Sequence, residues 1–210
     1  MDGYAVGVDL GGSHVTALLV EPNGRAVRRT SSLIYERHFE DVVNTMTGVI
    51  RELIGTMEIC AGGVGSPGSI DPRDGVVRYS PNFGWFNAPL GTALRNRLNL
   101  PTYVANDARS ATLGEYRYGS GHGTRDFALL TLGTGIGGGL VVAGQLVHGA
   151  AFAAGEIGHH AIRPTDGFIC GCGNRGCFEA QASATGLRRH AFAASRIIPG
   201  QHDDIGRSVA

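Results

Sequence analysis

The chain has 210 residues, of which 42% are hydrophobic, and a formal net charge of zero, which suits one large domain or two small lobes with a real core. The balanced charge gives no electrostatic footprint for nucleic acid or an anionic membrane, no stretch approaches the roughly 20 apolar residues of a bilayer span, and no secretory signal pattern opens the chain. A cytoplasmic protein without nucleic-acid or membrane partners is therefore expected.

The first half of the chain begins with a strand pattern, a glycine turn and a second strand. Residues 4–10 and 15–20 are apolar and of strand length, and a turn at 22–24 leads into a third strand over residues 26–32. Apolar residues at helical spacing predict a helix over Phe39–Ile54. A short strand near 59–64 then runs into GSPGSIDPRDG, a segment with loop chemistry throughout.

The rest of the chain continues with alternating helices and strands. Helices are predicted over 88–98 and 108–118, with a strand at 101–105 between them. A glycine-rich hinge follows, which divides the chain into lobes at 1–118 and 119–210. Two apolar strands at 127–132 and 139–144 then flank a second glycine-rich turn, 181–194 is a final helix, and 199–210 has no pattern. Both halves thus begin with a strand, a glycine-rich turn and another strand, which indicates duplicated lobes.

Both glycine-rich turns are candidate phosphate sites. The first contains Asp9, Gly11, Gly12, Ser13 and His14, and the second contains Gly133, Thr134, Gly135, Gly137 and Gly138. A glycine turn between strands exposes backbone N–H groups to phosphate, and Asp9 can hold Mg²⁺ through water. The first turn alone suits a plain hairpin as well, but the second has five glycines in seven positions, more than a hairpin needs. The chain has no lysine, which excludes a Walker-type phosphate loop.

Asn106 and Asp107 stand where a predicted strand ends and a helix begins. An isolated pair of this kind is readily explained as a helix N-cap. The carboxyl ends of strands are also where α/β proteins place their ligands, and an aspartate there can accept the proton of a hydroxyl that attacks a γ-phosphate. The two roles are compatible, because a cap residue is held rigidly.

Three cysteines, Cys170, Cys172 and Cys177, fall within eight residues, shortly after the pair His159 and His160. In a cytosolic chain this spacing favours a metal over a disulfide. Three thiolates and one imidazole complete a tetrahedral zinc site with no open position, which makes it structural rather than hydrolytic. A redox or unliganded cluster is the alternative.

Together these blocks resemble the ROK family of repressors, open reading frames and kinases, and especially its glucokinases. The matching strings are DLGGSH, GVGSPGSIDPRDGVV, SPNFGW, ANDARSATLGEYRYG, TLGTGIGGGLV, GEIGHH and CGCGNRGCFEA. They occur in the family's order and cover most of residues 6–181. The resemblance implies an α/β chain with the actin-like ATPase (ribonuclease H-like) fold, in which two lobes flank a cleft, and an ATP-dependent kinase of hexoses with glucose as the first substrate to consider.

The resemblance also assigns roles to residues of this chain. The catalytic base falls on Asp107, and the sugar contacts fall on Gly68, Asn106, Glu156, His159 and Glu179. ATP and Mg²⁺ fall to the two glycine turns, and the zinc ligands fall on His159, Cys170, Cys172 and Cys177. His159 lies one position further from Cys170 than is usual in the family, so His160 remains an alternative ligand.

Two other functions stay open beside the hexose kinase. One is a sugar-sensing protein without catalysis, since the family includes repressors; those carry a helix-turn-helix before the kinase-like part, whereas DLGGSH begins here at Asp9. The other is a truncated module that keeps sugar and zinc but lacks ATP binding, because the chain ends at Ala210, before similar kinases complete the second lobe and the adenine pocket. Dimers are common among similar proteins, so a homodimer is compatible with the resemblance.

Overall fold

The computed structural model describes residues 3–195, and these residues fall into two compact units. The first unit takes the chain up to Phe127 together with Leu140–Ala154, and the second takes Ala128–Gly139 and the chain from Gly155 onward. The division into lobes at residue 118 stays a prediction, and the expected lack of pattern at 199–210 lies outside the described residues.

The described residues contain eleven strands and five α-helices. The strands are β1 (Tyr4–Leu10), β2 (His14–Val20), β3 (Ala26–Leu33), β4 (Ile59–Ser66), β5 (Ser69–Asp71), β6 (Val76–Ser80), β7 (Trp85–Ala88), β8 (Thr102–Asn106), β9 (Phe127–Leu132), β10 (Ile136–Val142) and β11 (Gln145–Leu146). The helices are α1 (Phe39–Ile54), α2 (Leu90–Leu98), α3 (Asp107–Tyr118), α4 (Phe178–Ala182) and α5 (Ala184–Ser195), with a 3₁₀ turn at Ile157–His159.

A five-stranded sheet in the order β3-β2-β1-β4-β8 organises the first unit. Strands β1, β2 and β3 form an antiparallel meander, whereas β4 pairs parallel to β1 and β8 pairs parallel to β4. A parallel pair needs a crossover connection, and α1 supplies it between β3 and β4. The apolar face of α1 is buried in the same core as the strands; its members there are Val42, Val43, Met46, Val49, Ile50 and Leu53.

A second, three-stranded antiparallel sheet follows β4 in the order β5-β6-β7. Asp71, fully buried at the end of β5, is held by Arg73 at 2.7 Å and by Arg78 at 2.8 Å. The Arg73 and Arg78 guanidinium groups hold the pKa of the Asp71 carboxyl well below its usual range, although burial opposes them. The ion pairs tie the turn after β5 to β6, because both arginines bond the same carboxylate.

Several elements agree with their sequence patterns, and two do not. Strands over 4–10 and 127–132 and the helix Phe39–Ile54 lie at the predicted bounds. The prediction of loop throughout GSPGSIDPRDG is wrong, because β5 lies inside this segment and pairs with β6, which follows it. The helix predicted over 181–194 is found as α5 from Ala184 onward, but its first residues, 181 and 182, belong to α4, because Ser183 is extended and separates the two helices. None of the helices within residues 3–195 combines the length and apolar character needed to cross a bilayer.

Candidate functional site

The carboxyl ends of three parallel strands bring the first unit's polar candidates to one sheet edge. Asp9 on β1 pairs with Gly65 on β4, and Gly65 pairs in turn with Ala105 on β8. Strands lie about 4.8 Å apart, so the Cα atoms of Asp9 and Ala105 are about 10 Å apart along this row. Asn106 and Asp107 follow directly. The sheet register therefore places Asp9 near the Asn106–Asp107 pair, although almost 100 residues separate them.

Asn106 is buried and uses both ends of its side-chain amide. Its Oδ1 accepts the Arg109 amide at 3.1 Å, which caps α3, and its Nδ2 donates to the Gly68 carbonyl at 3.2 Å. Gly68 has φ +110°, and a Cβ there would lie 2.3 Å from the Tyr79 carbonyl oxygen. Only glycine fits this position. The N-cap role predicted for Asn106 is confirmed.

Asp107 is the first residue of α3 and is half-buried. Its Oδ1 accepts the Ala108 amide at 2.8 Å, so the carboxylate sits at the positive end of the helix. A Cβ on Gly65 would lie 3.3 Å from the Asp107 Cα. The glycine in β4 thus lets α3 begin close against the sheet.

The first glycine turn closes on itself. The Gly11 amide donates to the His14 carbonyl at 2.9 Å, and the Ser13 carbonyl accepts the Ile34 amide at 2.9 Å. Ser13 Oγ lies 3.3 Å from His14 Nδ1, and both side chains are exposed. The turn therefore presents a hydroxyl and an imidazole to solvent, while the Gly11 amide is used within the hairpin.

The second glycine turn, between β9 and β10, is held by several contacts within the second unit. The Ile136 amide donates to Glu179 Oε2 at 2.9 Å. The start of α5 holds the other side of the turn, because the Ala184 amide donates to the Gly133 carbonyl at 2.9 Å and Thr185 Oγ1 donates to the Thr134 carbonyl at 3.0 Å. The turn leads into a strand, as predicted, so it is not a dinucleotide fingerprint.

The glycines of this turn differ in what surrounds them. A Cβ on Gly135 would lie 2.4 Å from Glu179 Oε2, and one on Gly138 would lie 2.9 Å from the Gly155 carbonyl oxygen. A Cβ on Gly133 would meet no heavy atom within 4 Å. Gly138 is thus required by backbone packing inside the protein, whereas a side chain on Gly135 would displace the Glu179 carboxylate, which qualifies the interpretation that the whole run admits a ligand. Gly133 is open.

The side chains of His159, Cys170, Cys172 and Cys177 converge in the second unit. Their ligand atoms all lie within 4.8 Å of one another. His159 Nδ1 is 3.6 Å from Cys170 Sγ, and the Cys172 and Cys177 sulfurs are 3.6 Å apart. A tetrahedral ion with zinc–sulfur bonds of about 2.3 Å needs sulfurs about 3.8 Å apart, so this donor set fits zinc. His159, rather than His160, belongs to the group.

Backbone contacts set the shape of the loop that carries the thiols. The Cys170 amide donates to the Asn174 carbonyl at 2.8 Å, and the Phe178 amide donates to the His160 carbonyl at 2.8 Å. Gly176 has φ +75°, and a Cβ there would lie 1.9 Å from the Arg163 carbonyl oxygen. The loop is therefore closed by main-chain bonds as well as by the four side chains.

Burial controls the protonation of two thiols. It raises the pKa of Cys177 to about 12, and it also raises the pKa of Cys170. At the exposed Cys172 burial acts in the same direction, but the Asn174 amide and the other two thiols lower the pKa overall. Without a metal the buried pair keeps its protons at neutral pH, so an incoming cation must displace them.

Two features of this unit carry no simple sequence signal. Glu179 reaches the Ile136 amide across 43 positions of the chain, and Thr185 reaches Thr134 across 51. The one local hint is Ser183, whose Oγ accepts the Gly186 amide at 3.1 Å and so marks a helix start. Glu156, the remaining predicted sugar contact, is half-buried and precedes the 3₁₀ turn that carries His159.

Comparison with known proteins decides the family. The model of the ROK family matches residues 5–203. The chain belongs to the ROK family. It is 43% identical to a glucokinase of Thermotoga maritima over 186 residues, which cover 88% of this chain and 58% of that protein. A xylose repressor of Caldicellulosiruptor bescii is 33% identical, with 88% of this chain and 48% of the repressor covered.

Solved structures of ROK proteins resemble the chain closely. A ROK family glucokinase from Streptomyces griseus, in complex with glucose and AMPPNP, superposes with a TM-score of 0.83 at 35% identity, covering 94% of this chain and 62% of that one. The actin-like ATPase fold expected from the sequence is thereby confirmed. The chain spans about three fifths of the length of the curated glucokinases it matches, between 58% and 62%.

Proposed function

We propose that this protein is an ATP-dependent hexose kinase that converts glucose to glucose 6-phosphate. The observation that carries the proposal is the row of Asp9, Gly65 and Ala105, which brings Asp9 and the Asn106–Asp107 pair to one edge of the parallel sheet. A carboxylate at that edge, held at a helix start, suits proton transfer from a hydroxyl. The similarity to glucokinases supports the choice of hexose.

In this reaction Asp107 is the general base. The sugar hydroxyl oxygen attacks the γ-phosphorus of ATP, the bond from that phosphorus to the β,γ-bridging oxygen breaks, and ADP leaves. The hydroxyl proton passes to the Asp107 carboxylate. Asn106 holds Asp107 in place by capping α3, and its bond to Gly68 fixes the loop before β5.

The phosphates of ATP are assigned to the two glycine turns. The exposed Ser13 and His14 of the first turn and the open Gly133 of the second are the positions available to phosphate oxygens. Mg²⁺, when bound with ATP, neutralises developing phosphate charge, and Asp9 is the residue that would hold it through water. No lysine is required.

The hexose is assigned to Gly68, Asn106, Glu156, His159 and Glu179. Carboxylates, an amide and an imidazole can each pair with the ring of hydroxyls that a hexose presents. His159 uses Nδ1 toward Cys170, which leaves its other ring nitrogen for a sugar hydroxyl. This arrangement makes the thiol cluster part of the sugar site's support.

Zinc is the proposed resident of the cluster His159, Cys170, Cys172 and Cys177. When bound, zinc closes the loop as a structural ion, since four protein ligands leave no open position. The chemistry of three thiolates and one imidazole is what favours zinc over a hard cation. Free thiols and the use of ATP suit the cytoplasm, which is the location we assign.

The test is a coupled assay of glucose-dependent ADP release, with fructose, mannose and N-acetylglucosamine as alternative substrates. The expected result is a faster release of ADP with glucose than with any of the other three sugars. Glucose binding by calorimetry without any ADP release would contradict the kinase and favour the second candidate, a sugar-binding protein without catalysis. The similarity to a xylose repressor is the observation that supports that candidate.

A further inference from the structure

Glu179 connects two parts of the second unit. Its Oε2 accepts the Ile136 amide at 2.9 Å, at the centre of the second glycine turn. Its Oε1 accepts a hydrogen bond from the Cys170 thiol at 3.8 Å, a bond that zinc binding would replace because a ligating thiol loses its proton. One half-buried carboxylate therefore contacts both the turn and the thiol cluster.

The chain around Glu179 is built for this contact. Gly135 has no side chain where a Cβ would come within 2.4 Å of Glu179 Oε2, so the carboxylate can lie against the turn. Glu179 sits in the first turn of α4, two residues after Cys177, so closure of the cluster fixes the helix that carries it. The second support of the turn comes from Ala184 and Thr185 of α5 and does not involve Glu179. Helix α5 is itself tied to the segment before the thiols, because Arg189 Nη1 donates to the Ile169 carbonyl at 3.1 Å.

We propose that Glu179 is a positioning residue that couples occupancy of the metal cluster to the conformation of the second glycine turn. With zinc bound to the cluster, the carboxylate accepts the Ile136 amide and orders residues 133–138. Without zinc, α4 is released and the turn loses that support. Its meaning for nucleotide binding rests on the proposed kinase function; the coupling itself does not.

Hydrogen exchange of the whole chain tests the coupling without sugar or nucleotide. Amide exchange in peptides spanning 133–139 is measured with Zn²⁺ bound and after a chelator removes it, with zinc content determined for each sample. In the wild type, removal is expected to speed exchange at Ile136 about tenfold or more, because a hydrogen bond to a charged acceptor is lost. Peptides of α1 in the first unit serve as the unchanged reference.

Two substitutions separate the roles of charge and contact. Glu179→Ala should exchange fast at Ile136 even with zinc bound, and chelation should add little there. Glu179→Gln keeps an acceptor oxygen and should restore part of the protection. Thr185→Val is the matched control. It removes the α5 hydrogen bond to the same turn but leaves Glu179 in place, so chelation should still speed exchange at Ile136.

Three results would overturn the coupling. The first is a wild type in which chelation speeds amide exchange in peptides of residues 170–177 but not in peptides of residues 133–139. The second is Glu179→Ala with wild-type exchange at Ile136, and the third is a wild-type chain that binds no zinc. None depends on catalysis, so an inactive chain that shows the expected exchange contradicts the kinase alone.

Discussion

At the scale of single residues, the half-buried Asp107 is the general base that we propose. It lies at the start of α3 and at the sheet edge shared with Asp9, a position that suits proton transfer from a hydroxyl. We expect Asp107→Asn to lower turnover by about 10²–10⁴-fold, the usual contribution of a general base, since an amide cannot accept that proton. Glucose affinity should stay within about tenfold, since the amide keeps similar hydrogen-bonding geometry.

The measurement is the coupled ADP assay beside glucose calorimetry. Asp41→Asn is the matched control, because it removes the same charge from a carboxylate that lies exposed on α1. Near-normal turnover in Asp107→Asn would exclude Asp107 as the base.

The thiol of Cys177 determines how metal binding depends on pH. Because burial raises the pKa of Cys177 to about 12, this thiol is protonated at neutral pH, and zinc would have to displace its proton. Zinc retention should therefore fall as the pH drops from about 8 to about 4, as measured with a chromophoric chelator. Cys172→Ser should lose zinc, whereas Cys60→Ser, outside the cluster, should keep it.

The metal-free chain should show the opposite pH dependence. A folded-state pKa raised above the unfolded value of about 8.5 favours the protonated thiol in the folded state. The resulting stability is complete below that value and is lost as the pH rises toward about 12. Urea unfolding of chelated protein at neutral and alkaline pH measures it, and greater stability at alkaline pH would refute the assignment.

At the scale of elements, Asn106 joins a strand, a helix and a loop. Asn106→Asp keeps the cap acceptor for Arg109 but loses the donor to the Gly68 carbonyl, so unfolding free energy should fall by about 1–3 kcal/mol. Asn106→Ala loses both hydrogen bonds, so its free energy of unfolding should fall further. Urea unfolding compares them with Asn96→Ala, an exposed position on α2 expected to be near-neutral. An unchanged Asn106→Asp would show that the Gly68 bond contributes nothing.

The second glycine turn gives a paired test of packing and binding. Gly135→Ala places a Cβ where Glu179 Oε2 lies, so the carboxylate must move away from the Ile136 amide. Loss of that hydrogen bond should cost about 1–3 kcal/mol of unfolding free energy, with weaker zinc retention. Gly133→Ala meets open space and should leave stability within about 0.5 kcal/mol. It should instead raise the KM for ATP more than the KM for glucose, in steady-state kinetics. Equal stability losses at both positions would contradict this division.

At the scale of the whole molecule, metal removal tests whether zinc stabilises the chain and supports sugar binding. A ligand that binds only the folded state at 1,000 times its Kd adds about 4 kcal/mol, so chelation should lower the unfolding midpoint markedly. Because His159 is both a proposed zinc ligand and a proposed sugar contact, glucose affinity should fall in the same samples. Scanning calorimetry and glucose titration measure the two effects. A metal-free chain with unchanged glucose affinity would show that zinc does not support sugar binding.

The sequence alone determined the features that depend on neighbouring residues. Strand and helix periodicities located β1, α1 and β9, and the spacing of three cysteines identified a metal-type cluster. The cap role of Asn106 was likewise readable, because a cap involves residues three apart. These features follow from local backbone and side-chain preferences, which act over a few positions.

Only the tertiary structure decided what depends on distant contacts. It selected His159 over His160, placed strand β5 inside a segment rich in turn residues, and directed Glu179 at the Ile136 amide. It also separated Gly135, which lies against the Glu179 carboxylate, from Gly133, which is open. Local propensity cannot make such choices, because the partner atoms are tens of residues away and only the folded backbone brings them within hydrogen-bond distance.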